Sequence, residues 1–277
     1  MSFIKILDKL SDIGTLDSNA SRRDAFKQFK SFGKGAAMAS IPFGLAGISS
    51  STKAANAAFA TTLQASPSDV LNFALTLEYL AKEFYNIGLD TNGLIPDDAK
   101  DIFAKISKHE DDHVAFLLAA LGDNAVAKPT FDFTGGPGGL ELDTFENYNT
   151  FLALSQGFED TGVRAYKGQA GALANDNTLL EYALQIHSVE ARHAAQVRRM
   201  RGQKGWITGG TAASNGLLDV FDPIYAGEAN TVQGGVDLSG LFNAFGGAAA
   251  VREAFDEPLT MEEVLAIGGF FIVPNEG

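Results

Sequence analysis

No cysteine occurs among the 277 residues, which excludes thiolate zinc sites, iron–sulfur clusters, thiol catalysis and disulfide scaffolds together. Any metal must therefore bind through nitrogen and oxygen. Positive charge is also scarce. The 21 Lys and Arg are outnumbered by 34 Asp and Glu, giving a formal charge of −13, and a nucleic-acid surface needs clustered cations that this balance does not supply. A long apolar run is missing from the N-terminal region as well. The small-residue stretch from Gly35 to Ile48 is about fourteen residues, short of the ~20 that span a bilayer, and Pro42 and Gly44 interrupt it, so no permanent membrane span is expected. What is present is 45% hydrophobic and 20% charged, enough apolar material for one sizeable core with extensions.

The N-terminal region reads as an address. Ser21-Arg22-Arg23-Asp24-Ala25-Phe26-Lys27 precedes the short apolar run, and Ala55-Asn56-Ala57 then offers small residues to a signal peptidase. Residues 1–57 resemble a twin-arginine export signal, with Ala25 standing where that signal usually has Phe. The expectation is export to the periplasm or cell envelope, with the protein folded and its metal inserted before it crosses the membrane.

Four long helices follow. Apolar residues recur at helical spacing from Ser66 to Gly88 (Val70, Phe73, Leu77, Leu80, Phe84), with Ser66 as cap, Pro67 at the first helical position and Gly88 as the stop. A second helix starts at Pro96-Asp97-Asp98 and ends at Gly122. A third is expected from about Asp143 to Ala172, and a fourth from Asn177 to Arg201, closed by Gly202. Between the second and third, Pro129 to Phe133 and the glycines around Pro137 cannot be helical and are long enough to cross over a bundle. The glycines follow no strand and precede no Gly-Lys-Ser/Thr, so they form a turn and not a phosphate loop.

The second helix pair repeats the first. Glu78 matches Glu159 and Tyr85 matches Tyr166 at an offset of 81, while Glu110 matches Glu190 and His113 matches His193 at 80. This register implies two helical hairpins related by a pseudo-twofold axis, with equivalent residues face to face. Glu110 to His113 and Glu190 to His193 are both Glu-x-x-His, which puts a carboxylate and an imidazole on one helical face. Glu78 and Glu159 add one inward carboxylate from each remaining helix. One such motif alone is as well explained by a solvated face. With 14 Glu in the chain, two histidines each following Glu by three would arise by chance about once in four hundred. Four carboxylates and two imidazoles make a site for two metal ions. Iron or manganese suits that mixture, whereas calcium prefers all-oxygen ligands and magnesium keeps its waters.

The chain resembles the ferritin-like superfamily and, within it, the desiccation-related ferritin-like family. The resemblance covers residues 66–205 and rests on Leu71 to Leu75 before Glu78, Pro129 to Phe133, Glu159-Asp160-Thr161-Gly162-Val163 with Ala165-Tyr166, and Ser188 to His193. It extends more weakly to Phe255 to Thr260. It implies an all-α four-helix bundle with one long crossover, and Glu78, Glu110, His113, Glu159, Glu190 and His193 as the metal ligands.

Tyr85, Tyr166 and His187 are candidates to orient those ligands by hydrogen bonds, with core packing the plainer role for the tyrosines. His109 has no counterpart in the repeat and is expected at the surface. Glu83 is matched by Arg164, either a buried pair or a break in the symmetry. Residues 206–277, rich in Gly, Ala and Asn, form an irregular extension expected to pack on the bundle or on another subunit. Thr260-Met261-Glu262-Glu263 is a capping box opening a short final helix to Ile267. Two functions stay open: an oxidoreductase of peroxidase, catalase-like or ferroxidase type acting on dioxygen or peroxide in stress protection, or a non-catalytic metal-storage or structural envelope protein.

Overall fold

The structure is a computed structural model and describes residues 65–240 and 243–274. The expected export signal, residues 1–57, lies outside them. Four long helices dominate: α1 (Pro67–Asp90), α2 (Asp97–Leu121), α3 (Tyr148–Gln169) and α4 (Asn177–Met200). α1 packs along α2 and α3 along α4, giving two hairpins that meet through α1 and α3. This is an all-α four-helix bundle with one long crossover.

Local chemistry sets the helix ends. Ser66 and Asp69 form a reciprocal capping box at the start of α1, with Ser66 Oγ accepting from the Asp69 amide at 3.2 Å and Asp69 Oδ2 accepting from the Ser66 amide at 3.0 Å. Gly122, at φ 55°, ends α2 as expected. Gly88 is not a stop, because α1 continues to Asp90. Its role is close packing: a Cβ there would lie 2.4 Å from the ring of Phe151 on α3. That approach lets Phe84 and Phe151 stack at 4.7 Å between ring centres. α3 begins five residues later than expected. Asn147 caps it, accepting from the Asn149 amide at 3.0 Å, and Asp143 stays outside, holding Asn147 Nδ2 at 3.0 Å and the Thr150 hydroxyl at 2.5 Å. At the other end α3 gives way to a 3₁₀ turn over Ala170–Leu173, as the expected end near Ala172 nearly anticipates.

The C-terminal extension packs on the bundle. It holds several 3₁₀ turns, a hairpin of β1 (Val232–Gln233) and β2 (Val236–Asp237), and two short helices, α5 (Ala248–Ala254) and α6 (Met261–Gly268). The hairpin turns at Gly234-Gly235, both glycines having positive φ. Thr260 and Glu263 form the expected capping box of α6. Beyond α6 the chain pairs with the crossover: the Asp132 amide donates to Phe271 O at 2.8 Å and the Val273 amide to Thr130 O at 2.9 Å.

Two buried arginines fasten this extension. Arg198 on α4 makes a two-pronged bond to Asp160 on α3 (2.9 and 2.5 Å), and its remaining nitrogen reaches Trp206 O and Asn215 Oδ1, both at 3.1 Å. The Tyr225 hydroxyl donates to the same Asp160 carboxylate at 2.7 Å. Arg164 on α3 pairs with Glu228 at 2.8 Å and donates to the carbonyls of Ile224, Ala226 and Glu257. Glu83, its repeat counterpart, pairs instead with Lys128, so the symmetry is broken here and the two do not pair. Removing one partner of such a buried pair strands a charge. We predict that Asp160→Ala loses about 3–5 kcal/mol in chemical denaturation, whereas Asp160→Leu combined with Arg198→Met recovers most of it. Equal losses in both variants would contradict this account of the anchor.

Candidate metal centre

The helical register brings all six expected residues together inside the bundle. Glu78, Glu110, Glu159 and Glu190 are buried, Glu110 completely, and His113 and His193 are nearly so. Both imidazoles present Nδ1 to the carboxylates. His113 Nδ1 lies 3.2 Å from Glu78, 3.3 Å from Glu110 and 3.4 Å from Glu190. His193 Nδ1 lies 3.0 Å from Glu110 and 3.3 Å from Glu159. Two four-residue sets emerge whose ligand atoms lie within 4.8 Å of one another: Glu78, Glu110, His113 and Glu190, and Glu110, Glu159, Glu190 and His193. Glu110 and Glu190 belong to both.

The tyrosines hold the outer carboxylates across the repeat. Tyr85 on α1 donates to Glu159 on α3, and Tyr166 on α3 donates to Glu78 on α1. Their role is thus more than the core packing favoured from sequence. His187 belongs to neither ligand set, and its Nδ1 is buried without a hydrogen-bond partner. His109, expected at the surface, is half-buried. Its Nδ1 meets His193 Nε2 at 2.9 Å, and the two rings stack at 5.2 Å. With His193 Nδ1 facing the carboxylates, this contact sets the ring angle, and a proton on Nε2 donated to His109 would leave Nδ1 free as a metal ligand. The sequence signal was spacing, since His109 and His113 are four apart on one helical face. The comparison of repeats hid it, because Val189 occupies the equivalent position.

The electrostatics are those of a cluster short of positive charge. Burial, followed by repulsion from Glu110, Glu78 and Glu159, pushes the Glu190 carboxyl well up. Burial likewise pushes Glu110 up to about 7 against the pull of the two histidines. His113 and His193 overcome burial through the adjoining carboxylates and rise to about 10. Glu78 is the exception: burial raises it, but His113 brings it below its ordinary value. Protons therefore do the work of cations when no cation is bound.

The donor set fits metal ions on a further observation. Glu110 Oε1, Glu159 Oε2, Glu190 Oε1 and His193 Nδ1 are buried without a hydrogen-bond partner; the 3.0 Å approach of His193 to Glu110 is close but misaligned for an N–H bond. Four inward atoms without partners in one small space fit cation ligands, because leaving them bare is costly. A family model described as a ferritin-like domain matches residues 66–203. The chain carries a ferritin-like domain. No curated protein matches it. The ferritin-like domain and the buried Glu and His clusters together point to metal binding.

The pKa shifts set a pH dependence for the metal-free protein. Glu110 and Glu190 have raised values, so their protonated forms favour the fold, and that contribution falls as pH rises from about 4.5 through about 7. The raised histidines contribute fully below 6.5 and lose their contribution as pH rises through about 10. Glu78 alone acts in the opposite direction, below its ordinary value. We predict that the melting temperature of metal-free protein falls from pH 5 to pH 9. Saturating divalent metal should flatten that fall and raise stability at pH 8 by about 4 kcal/mol at a thousandfold excess over Kd. A melting temperature that metal leaves unchanged would rule the centre out.

Proposed function

We propose that Glu78, Glu110, His113, Glu159, Glu190 and His193 hold two iron or manganese ions, and that the protein is an exported oxidoreductase reacting with dioxygen or peroxide in stress protection. The carrying observation is the sharing of Glu110 and Glu190 by both ligand sets. Carboxylates common to both sets would be ligands to both ions, and two ions so held would supply chemistry toward one small molecule. Glu78 with His113, and Glu159 with His193, then serve as the outer ligands of the two ions.

When bound, such a pair supplies two-electron redox chemistry at positions the side chains leave open. The chain's own residues do the rest. The carboxylates that carry protons in the metal-free protein release them as metal binds. Tyr85 and Tyr166 donate to Glu159 and Glu78, fixing which oxygen of each faces inward. His109 holds His193, and among the described residues nothing equivalent holds His113, so the two ligand sets have unequal surroundings. Burial keeps bulk water from the reacting atoms. The resemblance to desiccation-related ferritin-like proteins fits a protective role, and the twin-arginine-like pattern in residues 1–57 supports assigning that role to the periplasm or envelope.

Two measurements test this reading. Purified protein should contain two ions of iron or manganese per chain and turn over peroxide or dioxygen. Glu110→Gln with Glu190→Gln removes charge while keeping shape, and is expected to lose at least one ion and all turnover while gaining stability without metal. Full metal retention in that double variant would contradict the bridging assignment, and two ions without turnover would leave a storage protein. Independently, Arg22→Lys with Arg23→Lys is expected to trap the precursor in the cytoplasm, and unimpaired export would refute the twin-arginine assignment.

A further inference from the structure

A cavity large enough for water-sized molecules lies between α1, α3 and α6, with Glu78 and the Glu190 of α4 in its lining. α1 contributes Leu77 and Ala81, and α3 contributes Phe158 and Gly162. These are repeat partners (158 − 77 = 81 and 162 − 81 = 81), so the cavity sits where the two hairpins face each other. The smallest pair, Ala81 and Gly162, opens it. A Cβ on Gly162 would lie 2.7 Å from Glu190 Oε2, so the missing side chain is what lets this carboxylate approach α3.

The walls select by chemistry. Leu77, Ala81 and Phe158 are apolar, and the nearby hydroxyls are committed: Tyr166 to Glu78, and Thr161 to Gly157 O at 2.6 Å. A polar organic substrate would lose its water against these walls and find polar groups only at Glu78, Glu190, Tyr166 and Thr161. A small neutral molecule loses little. The remaining wall comes from α6, whose Val264 and Ile267 are buried against the cavity. α6 lies outside the matched residues 66–203 and is set in place where the Leu259 amide donates to Arg164 O at 3.1 Å.

We propose that this cavity is the binding pocket and size filter for the centre's oxidant, a neutral molecule of dioxygen or hydrogen peroxide size, and that Ala81, Gly162 and Ile267 set its limit. The proposal rests on the oxidant reading of the centre but has a test that does not. Crystals of the protein pressurised with xenon should show xenon in this cavity, and Ala81→Leu, or the milder Ala81→Val should Leu prevent folding, should abolish or reduce it. In ferrous-loaded protein the same variants should take up nitric oxide at least tenfold more slowly, with unchanged metal content. Ile267→Ala should increase reaction with tert-butyl hydroperoxide relative to hydrogen peroxide. Xenon absent from the cavity, or nitric oxide uptake as fast in the Ala81 variants as in wild type, overturns the proposal. If wild type consumes neither dioxygen nor peroxide while nitric oxide uptake remains slowed by the Ala81 variants, the oxidant reading fails and the cavity's role as the route to the centre stands.

Discussion

Four carboxylates buried in one space inside a helix bundle are the constraint on which this structure depends. Like charges at such separations in a low-dielectric interior cannot all stay ionised without compensation. The chain offers three forms of it: two imidazoles held in their charged form, protons retained on Glu110 and Glu190, and phenol donors from Tyr85 and Tyr166. An imidazole Nδ1 lies 3.0 to 3.4 Å from Glu110 Oε1, Glu159 Oε2 and Glu190 Oε1, but none of the three oxygens has an aligned hydrogen bond. Divalent cations would satisfy those oxygens and displace the protons in the same event, which couples metal affinity, pH and stability.

The bundle serves the cluster through repetition, and the extension serves it through asymmetry. Each hairpin delivers one inward Glu and one Glu-x-x-His, and each donates a tyrosine to the opposite hairpin's carboxylate, so neither half is complete alone. Arg198 and Arg164 then tie the later residues to α3 and α4 through Asp160 and Glu228. Burial outweighs pairing at the second of these, holding Arg164 below its usual range and pushing Glu228 up to about 7. That suits a fixed structural clasp whose partners come from distant parts of the chain. Through it α6 is placed against the cavity that Ala81 and Gly162 also line.

The parts legible in the sequence are those with short-range or periodic causes. The caps at Ser66 and Thr260, the stop at Gly122 and the apolar stripes of α1 and α2 follow from local chemistry, and the offset of about 80 exposed the six inward residues. Where the sequence misled, a competing interaction decided. Gly88 looked like a terminator because glycine often is one, but the Phe151 ring needed its space. Asp143 looked like a helix start, but Asn147 was the better-placed cap. His109 escaped because its partner lies 84 residues away and its repeat position holds Val189. The clasp of Asp160, Arg198, Tyr225 and Asn215 is long-range, and no spacing rule links such residues before the chain folds.

The central claim is that two ions share Glu110 and Glu190. Anomalous diffraction from metal-loaded crystals, collected at the iron or manganese absorption edge, tests it most directly. The account predicts two peaks per chain about 3.5–4 Å apart, both in contact with Glu110 and Glu190, one also touching Glu78 and His113 and the other Glu159 and His193. A single peak, or two peaks with no carboxylate in common, would contradict it.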